Sequence, residues 1–237
     1  MSVLALIPAR GGSQGIPRKN LAEVGGRSLV AWAVEAAKES GRVDRVIVST
    51  DDDEIAAAAL DAGAEVPFRR PAHLAAHDTT DLPVFLHALD WLAETPAGAP
   101  SIVVHLRPTS PARRAGLVDD AIAALEARPD ATSLRSVSPS PLTPWKMYEV
   151  VDGFLAPLLG TVEAEAFNQP RQQLPPAWVH DGVIDVIRTE TLRSGSMSGP
   201  RMLAWHSTPA EAVDIDHPED LARADAAVRA VREQPGR

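Results

Sequence analysis

An apolar run passes directly into a basic, glycine-rich turn in the segment VLALIPARGG, residues 3–12. Five consecutive apolar residues, 3–7, are typical of a short strand that is buried on both faces. The glycines that follow allow the backbone to turn tightly and to come close to a ligand. This segment therefore predicts a central strand of an α/β sheet whose carboxyl end opens into a binding loop.

Strand and helix patterns alternate outward from this segment. Apolar residues at helical spacing predict a helix over Leu29–Lys38 with Ser28 as its N-cap, and Arg45–Ser49 reads as the second strand. The alternation continues with helices at 53–62, 82–92 and 116–127 and strands at 101–106 and 131–137. Such alternation predicts a mostly parallel sheet covered by helices.

The alternation breaks near residue 138, where the sequence reads SPSPLTP. Proline lacks an N–H donor and fixes φ, so this stretch is expected to be neither a helix nor a central strand. We interpret residues 139–178 as an insertion within a single domain, 1–237. Strands at 183–187 and 202–205 return to the sheet, and a helix at 218–231 follows.

Composition excludes several classes of function. The formal charge is −9, which argues against nucleic-acid and membrane-surface binding, since both depend on clustered positive charge. The absence of cysteine removes disulfides, thiolate catalysis and cysteine-based zinc sites. The chain shows neither a signal-peptide pattern nor an apolar run near the ~20 residues that cross a bilayer, so we expect a cytoplasmic protein.

The turn after the first strand is suited to an anion. It contains three glycines, a serine and three cations: Gly11, Gly12, Gly15, Ser13, Arg10, Arg18 and Lys19. Successive backbone N–H groups and positive side chains could together hold a triphosphate in an otherwise acidic chain. The turn matches neither GxxxxGK[ST] nor GxGxxG, and a flexible surface turn is the alternative.

A second cluster lies in VDIDHPED, residues 213–220. In an extended segment Asp214 and Asp216 lie on one face, and two carboxylates there suit Mg²⁺, which takes its other ligands from substrate phosphates. The alternative is helix capping, because Asp216 precedes Pro218 and acidic residues favour a first helical turn.

Six motifs in order resemble the acylneuraminate (CMP–sialic acid synthetase-like) cytidylyltransferase family, which is related to the CMP-Kdo synthetases. Residues 9–21 resemble its signature ARxxSxGxxxKNL, and residues 169–175 resemble its QPRQxLP loop. The remaining matches are STD at 49–51, the RPxxLAxDxT-like segment at 70–79, PTSP at 108–111 and the DIDxPxDL-like segment at 214–221. Together these matches run from residue 3 to about 224.

This resemblance implies a Rossmann-like nucleotidyltransferase fold (GT-A-like) with helices on both faces, and a homodimer whose insertion reaches the neighbouring active site. It also implies CTP as co-substrate, with Arg10 and Lys19 on its phosphates and Asn20 at the ribose. Arg70 and the turn containing Asp78 and Thr80 are implied to lie near the cytosine. Mg²⁺ is implied on Asp214 and Asp216, and the acceptor is implied to meet Lys146, Arg171 and Gln172.

Two positions depart from the family's pattern, and both are on the acceptor side. Arg107 stands where a glutamine is usual, and Asp185 where an aromatic or small residue is common. An arginine can grip a carboxylate or phosphonate with two parallel hydrogen bonds. Two acceptor classes therefore remain open, a 2-keto sugar acid and a small phosphonate. A non-catalytic nucleotide- or nucleotide-sugar-binding relative is the alternative function.

Overall fold

The computed structural model of the chain describes residues 2–13, 15–96, 98–159 and 165–233. Its strands are β1 Val3–Pro8, β2 Glu23–Val24, β3 Arg27–Ser28, β4 Arg45–Ser49, β5 Ile102–His105, β6 Ser133–Pro139, β7 Tyr148–Val151, β8 Phe154–Pro157, β9 Trp178–Arg188 and β10 Met202–His206. Its helices are α1 Leu29–Lys38, α2 Asp53–Asp61, α3 Asp81–Ala93, α4 Leu117–Glu126, α5 Thr189–Arg193 and α6 Asp220–Glu233. Within these ranges, each helix is too short or too polar to cross a membrane.

Six strands form the central sheet in the order β10-β6-β9-β5-β1-β4. The pairs β1–β4, β1–β5 and β10–β6 are parallel, whereas β9 runs antiparallel to both β5 and β6. The predicted α/β fold with a mostly parallel sheet is confirmed. The antiparallel strand β9 lies in the middle of the sheet, between β6 and β5. It follows the insertion in the chain and places Asp185 opposite His105 at the end of β5.

Strand β1 is covered on both faces, as its apolar run predicts. Ala5 and Ile7 pack in a core with α1, α2 and α4, whereas Leu4 and Leu6 pack on the opposite face against Phe85 of α3. All four side chains are essentially buried. Because β1 pairs in register with β4 on one side and β5 on the other, the turn that follows it starts from a fixed point.

The insertion contains a hairpin that the apolar periodicity did not predict. Strands β7 and β8 pair in an antiparallel register around Asp152 and Gly153, which have φ values of 51° and 83°. Two successive positive φ angles are the geometry of a type I′ turn, for which Asp-Gly is a preferred sequence. The Asp-Gly pair between two apolar runs was therefore the available signal.

Strand β6 continues further into the proline-rich stretch than expected. It ends at Pro139, which pairs with Trp178, although the sequence predicted an end at residue 137. The pairing of β6 with β10 stops at Val137, so the last residues of β6 have a neighbour on one side. The free side accommodates a proline without loss of a ladder hydrogen bond. Strand β9 likewise begins at Trp178 rather than at residue 183.

A third core joins the C-terminal helix to the first half of the chain. Val228 of α6 packs with Leu29 and Trp32 of α1, and the same cluster contains Val213 and Ile215. The backbone N–H of Ile215 donates to the carbonyl of Thr109 at 3.0 Å. The acidic segment 213–217 is thereby held beside the loops that follow β1 and β5.

Candidate functional site

A cleft of about 680 Å³ opens at the carboxyl ends of β1 and β5. Ligands of open α/β sheets bind at this edge, because the loops that follow parallel strands converge there. Four basic side chains line the cleft, Arg10, Lys19, Arg70 and Arg107. Its acidic lining residues are Asp81 and Asp216. In a chain with a net charge of −9, this local excess of cations makes the cleft suitable for an anionic ligand.

The glycine turn packs directly on the acidic segment. A Cβ atom on Gly15 would lie 2.2 Å from the carbonyl oxygen of Asp216, so a side chain cannot be placed there without moving backbone. At the start of the turn, the N–H of Gly11 donates to Asp51 Oδ1 at 2.9 Å. The turn is thus anchored at both ends, and Gly12, Ser13 and Gly15 line the cleft between the anchors.

Lys19 links the turn to the carboxylate segment. Its Nζ donates to the carbonyl of Ile215 at 2.8 Å and to Asp216 Oδ1 at 3.1 Å. The side chain of Lys19 is 15% exposed and lines the cleft. An ammonium group in this place can hold a phosphate oxygen while it remains paired with a carboxylate.

The other residues that were predicted to bind CTP near the turn divide into two groups. Arg10 lines the cleft and donates from Nη1 to the carbonyl of Ala76 at 2.7 Å, and Asn20 donates to the carbonyl of Arg10 at 2.9 Å. Arg18 instead pairs with Asp52 and Glu54 at the start of α2, outside the residues that line the cleft. The structure therefore brings Arg10 and Asn20 to the cleft and leaves Arg18 beside it.

Arg70 is almost completely buried at the floor of the cleft. Its guanidinium donates from Nε to Ser49 Oγ at 3.1 Å and from Nη2 to the carbonyl of Ser49. Burial lowers the pKa of Arg70 to about 10, against the opposing charges of Asp51 and Asp81. Arg70 is therefore still a cation at neutral pH.

The turn predicted to meet the base is only partly at the cleft. Thr79 lines it and donates from Oγ1 to the carbonyl of His73 at 3.1 Å. Asp78 and Thr80 are exposed and do not belong to the lining. The residues of the turn that line the cleft include Thr79 and, two residues before it, His77.

The two predicted metal ligands flank the buried Ile215. Asp216 lines the cleft, whereas Asp214 is exposed and its Oδ1 accepts from the N–H of Ile215 at 3.1 Å. The Asp216 carboxylate accepts from Lys19 Nζ at 3.1 Å. Asp220 caps this turn instead, since its Oδ2 accepts from the N–H groups of Asp216 and His217 at 3.0 and 2.9 Å.

Protein groups alone form no metal-binding cluster here: in the described part of the chain, no three histidine or acidic side chains converge as ligands. A pair of carboxylates fits Mg²⁺ nevertheless, because Mg²⁺ is usually held by one or two carboxylates and completes its octahedron with water and phosphate oxygens. Asp216 and its neighbour Asp214 are hard oxygen donors of that kind, beside the cationic turn.

The predicted substrate residues Arg107 and Asp185 are bonded to each other. Arg107 Nη1 donates to Asp185 Oδ2 at 2.7 Å, and Arg135 Nε donates to Asp185 Oδ1 at 2.9 Å. Asp185 is only 1% exposed and does not line the cleft, whereas Arg107 is 22% exposed and does. Because the Asp185 carboxylate is buried behind the lining, the structure does not place it in contact with the cleft, and its predicted contact with the acceptor stays a prediction.

Two histidines complete the surroundings of Asp185. His105 Nδ1 and His180 Nε2 lie 3.6 and 3.5 Å from its carboxylate oxygens. Burial raises the pKa of Asp185, but the two imidazoles and the charge of Arg107 outweigh burial and hold that pKa well below its usual range. Burial and the Arg107 charge lower the pKa of His105, against the opposing effect of Asp185. At neutral pH the cluster therefore holds an ionised aspartate and a neutral His105.

Three predicted acceptor residues lie away from this cleft within one chain. Lys146 ends a short 3₁₀-helix and is exposed. Arg171 and Gln172 line a second cavity of about 570 Å³ between residues 139–143 and 171–177. Arg171 donates there to the carbonyl of Ser140 at 2.9 Å. The tertiary structure does not bring these residues to the cleft of their own chain.

Sequence reasoning also missed Arg113, which is fully buried behind the cleft. Its Nε donates to the carbonyl of Val183 at 2.7 Å and its Nη2 to the carbonyl of Arg107 at 2.8 Å. Burial and the charge of Arg107 lower its pKa to about 9, while Asp214 has the opposite effect. An arginine two residues after a Pro-Thr-Ser-Pro turn was the available signal, and His105 at the end of an apolar strand was another.

A family model described as Cytidylyltransferase matches residues 4–149. The pseudaminic acid cytidylyltransferase of Campylobacter jejuni is 41% identical over 92 residues, or 39% of this chain and 40% of that protein. The CMP-N,N'-diacetyllegionaminic acid synthase of Legionella pneumophila is 34% identical over 150 residues, or 61% of each protein. These alignments therefore span less than two thirds of either relative.

Among solved structures, a CMP:2-keto-3-deoxy-manno-octonic acid synthetase complexed with CTP superposes with a TM-score of 0.69. The superposition covers 97% of this chain and 99% of the other, at 18% sequence identity. At that identity the likeness concerns the fold alone.

Proposed function

Because the chain belongs to the cytidylyltransferase family, we propose that it transfers CMP from CTP to a small acidic acceptor and releases pyrophosphate. The observation that carries this proposal is the contact of Lys19 with Asp216 inside the cationic cleft. A triphosphate next to a lysine, an arginine and a carboxylate pair is the arrangement that phosphoryl and nucleotidyl transfer need, since positioning and electrostatic stabilisation supply most of the catalysis.

In this reaction an acceptor oxygen attacks the α-phosphorus of CTP in line, and the bond to the pyrophosphate oxygen breaks. Lys19 stabilises the negative charge that grows on the α-phosphate, and Arg10 with the N–H groups of the glycine turn holds the leaving pyrophosphate. Asp214 and Asp216 would hold Mg²⁺, which when bound supplies a Lewis acid and a template. Arg70, Thr79 and Asn20 orient the nucleoside end.

The acceptor class follows from the relatives and from Arg107. The two relatives are named for pseudaminic acid and diacetyllegionaminic acid, so our first candidate is a sialic-acid-like 2-keto sugar acid. A small phosphonate stays the second candidate, because Arg107 lines the cleft and a phosphonate is also an anion. Arg107 can offer two donors to either anion.

We also propose a homodimer that is formed through the insertion. The hairpin β7–β8 exposes Phe154 at 78% and Leu155 at 67%, next to other large apolar residues such as Val150. Contiguous exposed apolar surface of this kind marks interaction sites. Lys146 and Arg171, which lie far from the cleft of their own chain, are on the same insertion and would reach the cleft of a second copy.

Pyrophosphate release tests the function. The purified chain is incubated with Mg²⁺, one nucleotide (CTP, UTP, ATP or GTP) and one acceptor from a panel of sialic, pseudaminic and legionaminic acids, 2-keto-3-deoxy-manno-octonic acid and small phosphonates. We expect acceptor-dependent release with CTP, and a CMP-linked product by mass spectrometry. CTP binding without release for any acceptor would support the non-catalytic alternative. Release with another nucleotide but not with CTP would contradict the donor assignment.

A further inference from the structure

Two charged residues that the sequence resemblance implied on the acceptor side, Arg107 and Asp185, form one ion pair in the structure. Arg107 and Asp185 are 78 residues apart, yet Nη1 of Arg107 lies 2.7 Å from Oδ2 of Asp185. Arg107 follows the end of β5, and Asp185 lies opposite His105 in the β5–β9 register. Because the ends of two neighbouring strands bring these opposite charges into direct contact, the two side chains form one unit.

Asp185 is held from both sides of β9. It pairs in register with Arg135 of β6 as well as with His105 of β5, and each carboxylate oxygen receives one guanidinium. A buried carboxylate is stable only when its charge is compensated and its lone pairs are satisfied. The two arginines and two nearby imidazoles provide this, so the position of Asp185 is set by three strands of the sheet.

The backbone that carries Arg107 is fixed as well. Arg113 donates to its carbonyl at 2.8 Å. A Cβ on Gly182 would lie 3.4 Å from Cδ of Arg107, so the arginine stem passes closely over the backbone of β9. Nη2 of Arg107 forms a second, longer ion pair with Asp81 Oδ2 at 3.6 Å, and both side chains line the cleft. Arg107 therefore has one nitrogen bound to the buried Asp185 and the other beside Asp81 in the lining of the cleft.

From this geometry we propose that Asp185 is a positioning residue that fixes Arg107 for an anionic group of the acceptor. This inference rests on the proposed function. Asp185 does not touch the acceptor, since it is buried; it acts by holding one Nη of Arg107 so that the other presents its N–H groups to a carboxylate or phosphonate oxygen. Without this partner, Arg107 would bind the acceptor more weakly, because its side chain would lose more rotamer freedom on binding.

The test is a double-mutant cycle with Asp185→Asn and Arg107→Gln. We measure KM for CTP, KM for the best acceptor of the panel, and kcat. Each single variant should raise the acceptor KM on the order of tenfold or more and leave the KM for CTP within about twofold. The double variant should be no worse than Arg107→Gln alone, because the effect of Asp185 passes through Arg107. Additive losses, or equal changes in both KM values, would overturn the proposal.

Arg107→Lys tests the same contact in case the Asp185→Asn variant does not fold. It keeps the charge for Asp185 but not the fixed pair of donors, so it should fold normally and still lose acceptor affinity. Glu65→Gln is the matched control, because it removes an arginine-paired carboxylate at the far edge of the sheet, where Arg45 donates to Glu65 at 3.0 and 2.6 Å. It should leave both KM values unchanged.

A structural readout separates this inference from the proposed function. In a crystal structure of Asp185→Asn, the Arg107 guanidinium should leave the position that it has here, whether or not an acceptor is known. If the wild-type chain turns over no acceptor, the proposed function fails. If the wild type is active and Arg107 is unmoved in Asp185→Asn with an unchanged acceptor KM, the positioning role alone fails.

Discussion

Lys19 and Asp216 are 197 positions apart in the chain and lie within hydrogen-bond distance, with Nζ 3.1 Å from Oδ1. The same Nζ also binds the carbonyl of Ile215 at 2.8 Å. The contact joins the loop after β1 to the segment before α6, and both line one cleft. A cation suited to phosphate is thus placed beside a carboxylate suited to a divalent ion.

Lys19→Ala should remove most of the activity with little loss of stability. We propose that Lys19 stabilises the negative charge that develops on the α-phosphate. Loss of one such donor lowers kcat roughly 10²- to 10³-fold. The ion pair with the exposed Asp216 contributes at most about 1 kcal/mol to folding. Pyrophosphate release and urea unfolding measure the two effects. Arg27→Ala, which breaks an exposed pair with Glu35 elsewhere, is the control. Near-normal kcat in Lys19→Ala would show that the assignment is wrong.

Asp216→Asn and Asp214→Asn should raise the Mg²⁺ concentration needed for half-maximal rate. Removal of a hard anionic ligand weakens Mg²⁺ binding, and EDTA should abolish activity in the wild type. Titration of Mg²⁺ at saturating CTP is the measurement. Glu219→Gln, an exposed change in the same segment, should leave the titration unaltered. If both aspartate variants gave the wild-type curve, the metal would have to be held elsewhere.

Gly15→Ala should damage the site through the backbone. The added Cβ would lie 2.2 Å from the carbonyl oxygen of Asp216, so the turn and the acidic segment must separate. The Lys19 contact would then lengthen, and we expect kcat/KM for CTP to fall on the order of tenfold or more. Gly41→Ala is the matched change, because its Cβ would meet Asp119 at an ordinary 3.7 Å. Equal activity of the two variants would contradict the close packing.

His105→Gln should reduce the amount by which the free energy of unfolding falls between pH 7.5 and pH 5.5. Burial lowers the pKa of His105 in the folded state. Below about pH 6.5, His105 is therefore protonated in the unfolded chain while it is still neutral in the folded chain. The free energy of unfolding therefore falls as pH falls from about 6.5 towards the folded pKa, by at most about 1.4 kcal/mol per pH unit for this group. Urea unfolding at pH 7.5, 6.5 and 5.5 measures it. The variant should lose less stability than the wild type over that range; an identical slope would mean that His105 is not the group responsible.

Phe154→Ser with Leu155→Ser should dissociate the proposed homodimer. Both side chains are more than two thirds exposed on the hairpin, so their replacement does not disturb the core. Light scattering during size-exclusion chromatography should show a dimer for the wild type and a monomer for the variant. Leu60→Ser, an exposed change on α2, should remain dimeric. A monomeric wild type would contradict the proposal at once.

Elements with a strong local pattern were predictable from the sequence. Helix α1 and strand β4 have the expected bounds, and Ser28 caps α1 by accepting from Ala31 at 3.3 Å. The hairpin β7–β8 was missed, because its apolar residues are exposed and do not alternate with polar ones. The reversal of β9 was also beyond local pattern, since strand direction depends on the path of the chain through the insertion.

The candidate site also has parts that the sequence indicated and parts that it did not. Its cationic turn and carboxylate pair could be identified because each is a short segment whose composition already suits its ligand. Arg18 and Asp185 were assigned to ligands, but their charges are taken up by Asp52 and by two arginines within the protein. A charged residue in a sequence does not reveal whether its partner is a ligand or another side chain.

The sequence by itself therefore determined the α/β fold class, and it located the glycine-rich cationic turn and the acidic segment, because these depend on residues that are neighbours in the chain. Only the tertiary structure decided that Lys19 meets Asp216 and that Arg107 is held by Asp185. Those contacts depend on the order of the strands in the sheet and on the packing of Ile215 beside the cleft, because both bring together residues that are far apart in the chain.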